Sequence, residues 1–169
     1  VELPSQFMEN WCFQPEELSK WAKHYKTGES MPKSIISNIK KSQKFLEGMA
    51  TIRQIGLGLL DLAWHDSDKR IENALELEKS TLSSLELLNY EPEATISPAF
   101  SHIFAGGYSA GYYSYKWSEV LDADAFGRFI DMDNKSNVAE DFKKILTSGG
   151  AIEASDLFKN FMGREPKVN

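Results

Sequence analysis

With 169 residues, the chain is long enough for one domain with a substantial core. Its composition, 41% hydrophobic and 26% charged, excludes a disordered or low-complexity chain. A net charge of −6 with scattered basic residues argues against nucleic acid or an anionic membrane as partner. The longest strongly apolar run, 55–64, is too short to span a bilayer and contains Asp61. A single cysteine, Cys12, excludes an internal disulfide and suits a reducing, cytoplasmic setting. The chain opens Val1-Glu2-Leu3-Pro4, without an initiator methionine or charged leader, and enters an amphipathic pattern at once, as a piece of a longer protein would.

Helical spacing then dominates. Pro4 suits the first turn of a helix, followed by Phe7, Met8, Trp11 and Cys12 at steps of three and four. Pro15 opens a second helix with Leu18, Trp21, Ala22 and Tyr25 on its apolar side, ended by Thr27-Gly28-Glu29. Pro32 and Ser34 start the longest helix, expected over 34–64. Its core side would hold Ile35, Ile36, Ile39, Phe45, Leu46, Met49, Ile52, Ile55, Leu59 and Leu62. Gly48, Gly56 and Gly58 interrupt it, which predicts a closely packed neighbour, because each glycine costs roughly 1 kcal/mol against alanine in a helix.

A fourth helix is expected over 69–88 with Ile71, Leu75, Leu82, Leu85 and Leu88 inward. A loop over 89–101 follows, containing Pro92 and Pro98. Another helix is expected from near Gly107 to about Phe129. A polar link over 131–136 then precedes helices over 138–147 and 154–161, separated by Gly149-Gly150. There is no internal repeat and little strand signal, so the fold class is all-α.

The stretch 102–115, HIFAGGYSAGYYSY, admits three readings. Gly107-Tyr108-Ser109-Ala110-Gly111 fits the G-x-S-x-G of a serine-hydrolase nucleophile elbow. That elbow needs a preceding strand and a later histidine, whereas His24, His65 and His102 all come before Ser109. As a helix from Gly107, the stretch would place Gly107, Gly111 and Ser114 on a flat strip for a neighbouring helix, with Tyr113, Trp117, Val120 and Leu121 on an apolar side. Tyr108, Tyr112 and Tyr115 would form a third face. It would be either a row of phenol donors aimed at a cleft or an ordinary half-exposed aromatic stripe. Tyrosine donors can stabilise an oxyanion at a carbonyl under attack.

Four segments carry a family resemblance: 1–11 (VELPSQFMENW), 25–29 (YKTGE), 100–119 (FSHIFAGGYSAGYYSYKWSE) and 163–166 (GREP). Together, in this order and over nearly the whole chain, they resemble the C-terminal part of the thimet oligopeptidase family of zinc metallopeptidases. The resemblance implies a single helical fragment, 1–169, of a larger zincin-type catalytic domain. It also implies hydrolysis of peptide bonds in short peptides, in the cytoplasm. Glu2 would be the third zinc ligand, a role its carboxylate suits. Read alone, Glu2 is a helix N-terminal acid favoured by the helix dipole. Glu9, two turns on, would either support that ligand or be solvated.

Tyr108 and Tyr115 match family tyrosines that reach the scissile carbonyl. Tyr112 matches a substrate contact, and His102 matches a donor to the substrate backbone beside the Gly106-Gly107 pair. Taken alone, His102 is also a loop histidine that holds its turn. His24 and His65 match no functional position and are expected to be surface or capping residues.

The His-Glu-x-x-His motif is absent, since no two histidines stand four residues apart. One zinc ion would therefore be completed by the N-terminal remainder of the same polypeptide, and this chain alone is expected to be inactive. Two alternatives stand beside this reading. One is dipeptidyl carboxypeptidase action within the same family, and the other is a helical peptide-binding module without chemistry.

Overall fold

A computed structural model describes residues 2–68, 70–86, 91, 94–131 and 135–167. Among them the chain is all-α. The helices are α1 (Leu3–Glu9), α2 (Pro15–Trp21), α3 (Lys33–Ser42), α4 (Glu47–His65), α5 (Ala74–Leu82), α6 (Ser101–Phe104), α7 (Ser114–Asp131), α8 (Lys135–Ser148) and α9 (Ala154–Met162). An isolated antiparallel bridge, Lys23 to Ser30, closes the turn after α2. The backbone divides into two compact units, Val1–Gln43 with Trp117–Asn169, and Lys44–Lys116.

In the first unit, prolines set the helix starts. Pro4 and Pro15 each occupy the first turn, where a missing N–H costs nothing. Phe7 of α1 is the centre of an aromatic core with Phe126 and Phe129 of α7, Phe142 of α8, and Phe158 and Phe161 of α9. Its ring stacks on Phe142 at 4.1 Å and meets Phe126 and Phe129 at 5.4 and 5.1 Å. Trp11 packs edge-on against Phe126 at 4.9 Å. Met8 and Cys12 are exposed, so α1 buries a narrower stripe than its spacing implied. Helix α2 stops at Trp21, which is exposed, and Tyr25 lies beyond it, also exposed.

The closing motif has a clear local role. Gly163 ends α9 in the left-handed conformation at φ 71°. Arg164 then grips both oxygens of Asp124 on α7 at 2.7 and 2.6 Å. That fork ties the C-terminal segment to a core helix.

The single helix expected over 34–64 is two helices. The chain breaks between α3 and α4, where Leu46 takes φ 55°. The face of α4 that is covered also differs from expectation. Gly56, Leu57, Gly58, Leu60 and Asp61 are buried, whereas Phe45, Leu46, Met49, Ile55, Leu59 and Leu62 are exposed. The small residues explain the choice. A Cβ at Gly56 would meet the side chains of Leu82 and Leu85 at 3.2 and 3.5 Å, and one at Gly58 would meet the Tyr113 backbone at 3.7 Å. Gly48 has nothing within 4 Å, so close packing does not account for it.

Helix α5 is shorter than expected, and Asn73 caps it by accepting from the N–H groups of Leu75 and Glu76. The expected ends Lys69 and Leu88 lie outside the described residues, as do Asn89, Pro92 and 132–134 of the polar link. The fully buried residue of α5 is Glu78, not one of the leucines. Its oxygens accept from the N–H groups of Ile96 and Ser97 at 2.9 and 2.6 Å. Trp64 donates to the Ser97 hydroxyl at 2.8 Å. Polar anchors therefore fix the segment that leads into α6.

Candidate active site

The segment after α6 is not a helix. Residues 105–113 form successive turns, and α7 begins only at Ser114. Tyr108 N–H donates to His102 O at 3.1 Å, Gly111 N–H to Tyr108 O at 2.8 Å, and Ser114 N–H to Gly111 O at 3.0 Å. The helical wheel expected from Gly107 is therefore replaced by a folded loop. Tyr113 and Trp117, expected on an apolar side, are 59% and 63% exposed.

The loop still gathers three of the tyrosines. The Tyr108 and Tyr115 rings stack at 5.2 Å with 23° between their planes. Tyr112 lies 4.9 Å from Tyr115 and meets Phe100 edge-on at 4.9 Å. The His102 ring stands 5.9, 5.8 and 6.3 Å from those of Tyr108, Tyr112 and Tyr115. The four residues thus form one aromatic cluster over a small core of Leu57, Leu60, Phe100 and Ile103.

Exposure separates their roles. His102 is exposed, and Tyr108 and Tyr115 are half-buried. Tyr112 is buried, and that burial pushes its phenol above the ordinary tyrosine value, with the neighbouring Tyr115 adding to the shift. Tyr112 therefore stays a neutral phenol, and Gln54 of α4 is a hydrogen-bond neighbour. As a substrate contact it is the least accessible of the four.

Two glycines set the approach. A Cβ on Gly106 would meet His102 Cα at 2.8 Å and His102 O at 2.9 Å, so only glycine fits there. Gly107 has open space but takes φ 81°, a left-handed conformation that other residues adopt at a cost.

Two residues that sequence reasoning passed over hold the loop. Asp61 of α4 is fully buried, and its oxygens accept from Ala110 N–H at 2.9 Å and Tyr112 N–H at 2.8 Å. His65, one helical turn on, places Nδ1 2.9 Å from Asp61 Oδ1. His65 also bonds the Asp61 carbonyl at 2.8 Å, a capping contact at the end of α4, and His24 caps its own turn by accepting from Thr27 N–H at 3.2 Å. A lone acid inside the apolar run 55–64 was the available signal for Asp61.

Ser109 donates its proton to the Ile103 carbonyl at 2.6 Å. That proton goes to a backbone oxygen and not to an imidazole, which removes the serine-nucleophile reading.

Glu2 lies in the first unit, at the N-terminal edge of α1. Its Oε2 accepts from the Ser5 hydroxyl at 2.9 Å. Glu9 is exposed at the other end of the helix. Among the described residues no group of three His, Cys, Asp or Glu side chains lies close enough to hold a metal ion. Glu2 is thus one carboxylate of a suitable type, and the chain's described residues do not make a complete zinc site. No helix among them is long and apolar enough to cross a membrane.

Comparison with known proteins fits this architecture. The profile described as Peptidase family M3 matches residues 1–169, and the chain belongs to that family. Oligopeptidase A of Haemophilus influenzae is 43% identical over 174 residues, and oligopeptidase A of Escherichia coli is 43% identical over 175. Each match covers 100% of this chain and 25% of the relative. Dipeptidyl carboxypeptidase of Salmonella typhimurium is 31% identical over 174 residues, covering 100% of this chain and 26% of that protein. The chain spans about a quarter of the length of these relatives.

Proposed function

We propose that this chain is the C-terminal part of the catalytic domain of a zinc-dependent oligopeptidase, a cytoplasmic enzyme that hydrolyses internal bonds of short peptides. The observation that carries the reading is the cluster of His102, Tyr108, Tyr112 and Tyr115, brought together by α6, the following loop and the start of α7, in a chain that is 43% identical to oligopeptidase A over the whole of this chain.

Glu2 is one zinc ligand, and the N-terminal remainder of the polypeptide supplies the others. Zinc, when bound, polarises the carbonyl under attack and activates water. The residues of this chain do the rest. Tyr108 and Tyr115 donate phenol protons to the oxyanion as the carbonyl carbon becomes tetrahedral. Neutral phenols suit that task, because donors aimed at developing charge stabilise the transition state more than the ground state. His102 donates to the peptide backbone, and Tyr112 supports the peptide side of the cluster from beneath. Gly106 and Gly107 let the backbone come close to the substrate.

In the full-length enzyme, Tyr115→Phe should lower kcat by about 100–1,000-fold, the range for loss of one oxyanion donor, and change KM far less. An unchanged kcat removes Tyr115 from this role. The isolated chain should not cleave peptides. Chelator-sensitive hydrolysis by the pure chain would contradict the division of zinc ligands.

The 31% identity to a dipeptidyl carboxypeptidase favours a second reading, release of dipeptides from the C-terminus of the peptide. Product analysis on one long peptide separates the two. Internal cuts support the oligopeptidase, and successive C-terminal dipeptides support the alternative.

A further inference from the structure

Asp61 is a costly residue for its position. Burying a carboxylate costs several kcal/mol unless it is paired and hydrogen-bonded, and a leucine would fill the same helix face without that cost. Its side chain is fully buried all the same, on the face of α4 that also carries Gly58 and His65.

Its partners explain it. The two carboxylate oxygens separately accept the N–H groups of Ala110 and Tyr112, at 2.9 and 2.8 Å. These amides flank Gly111, in a stretch where neither α6 nor α7 provides helical partners. Ala110 takes φ 55°, a left-handed conformation that costs an alanine roughly 1–2 kcal/mol. Two charge-assisted bonds offset that strain and select this one loop conformation. His65 Nδ1 hydrogen-bonds the Asp61 main-chain carbonyl at 2.8 Å and lies 2.9 Å from Oδ1, and Gly58 lets the Tyr113 backbone approach α4.

The clamp is central to the three rings. Tyr108 is tied to the clamped turn through Gly111 N–H at 2.8 Å, Tyr112 is clamped directly, and Tyr115 N–H donates to Tyr112 O at 3.2 Å. We infer that Asp61 is the positioning residue that sets the catalytic geometry of the tyrosine cluster, acting through the Ala110 and Tyr112 amides. The inference rests on the oxyanion role proposed for Tyr108 and Tyr115.

The test uses the full-length enzyme. Asp61→Asn keeps the shape but leaves one amide N–H facing a donor NH2 group, so one bond is lost and two donors oppose each other. A misplacement of about 1 Å can cost about 100-fold in rate. Asp61→Asn should therefore lower kcat by about 10–100-fold with KM within about threefold. In a Tyr108→Phe/Tyr115→Phe background, where neither oxyanion donor remains, the same substitution should cost less than about threefold, because residues acting through one another are not additive. Hydrogen exchange at the Ala110 and Tyr112 amides should quicken at least tenfold, while α4 amides stay protected.

Wild-type kcat and unchanged amide protection in Asp61→Asn would overturn the inference. So would a full additive loss in the Tyr108→Phe/Tyr115→Phe background. If Asp61→Ala fails to fold, the near-isosteric Asn variant still decides. A Tyr115→Phe enzyme with normal kcat would defeat the oxyanion reading instead, and the amide exchange would still report whether Asp61 fixes the loop.

Discussion

Gly106→Ala tests how closely the loop is fitted. The added Cβ would sit 2.8 Å from His102 Cα and 2.9 Å from His102 O. Ordinary contact begins near 3.4 Å, so the two backbones must separate by about 0.6 Å. No rotamer change can relieve this, because both opposing atoms are main chain. The His102 carbonyl also accepts Tyr108 N–H at 3.1 Å, and a shift of that size carries the pair out of hydrogen-bond range. Overpacking of this kind costs about 1–3 kcal/mol. If the strain falls on the site, kcat/KM drops about 5–150-fold. The assay is steady-state kinetics of the full-length enzyme, with a thermal melt to confirm folding. Gly107→Ala is the control. It meets open space, and its φ of 81° costs an alanine roughly 1–2 kcal/mol, about 30-fold at most. If Gly106→Ala is as mild as Gly107→Ala, close approach to His102 does not shape the site.

Two further outcomes follow from the first unit. Phe7→Ala should destabilise the chain by about 3–5 kcal/mol in denaturant unfolding, because it empties the centre of the aromatic core; a loss under about 1 kcal/mol would mean that the core closes without Phe7. Arg164 holds the Asp124 carboxyl below the usual carboxylate range, with the Lys167 N–H adding to the shift. The folded state therefore binds that proton less tightly than the unfolded state. The contribution is complete above the unfolded value of about 3.9 and is lost as pH falls through the lower folded value. Asp124→Asn should flatten stability against pH below about pH 4; an unchanged acid profile would show that the fork contributes nothing.

Much of the architecture was legible because helices announce themselves by period. Pro4, Pro15 and the Gly149-Gly150 pair marked real boundaries, and the α8 and α9 patterns were read nearly in register. The merged helix over 34–64 failed for a physical reason. The apolar period continues through 43–46, and nothing about Leu46 advertises a left-handed turn, which leucine disfavours. The orientation of α4 failed for another. Periodicity shows that a helix has an apolar side without saying which side a neighbour covers, and the neighbours here sit on Gly56, Gly58 and Asp61. The tyrosines were gathered for the wrong reason. Their i, i+4, i+7 spacing suggested a helical face, whereas the structure assembles the rings from turns.

That last difference indicates which sequence signal is worth weighting. A helix can match hydrophobic period by chance, but an acid placed where a helix must bury it demands partners. Asp61 satisfies that demand with the amides of a loop 49 and 51 residues away, and Glu78 with those of the segment 18 and 19 residues away. Neither carboxylate contributes to the hydrophobic cores, yet between them they fix both the approach to α6 and the turn that follows it. Asp61 sits in an apolar run and Glu78 in a mixed helix, and the partners of both are backbone N–H groups of a connecting segment. A loop that must hold side chains in one geometry lacks the repeating bonds that would stabilise it, and a buried carboxylate supplies two acceptors at once. A solitary buried acid in an otherwise apolar helix is therefore a pointer to a shaped loop elsewhere in the chain, and here one such loop carries Tyr108 and Tyr112 and delivers Tyr115 at the start of α7.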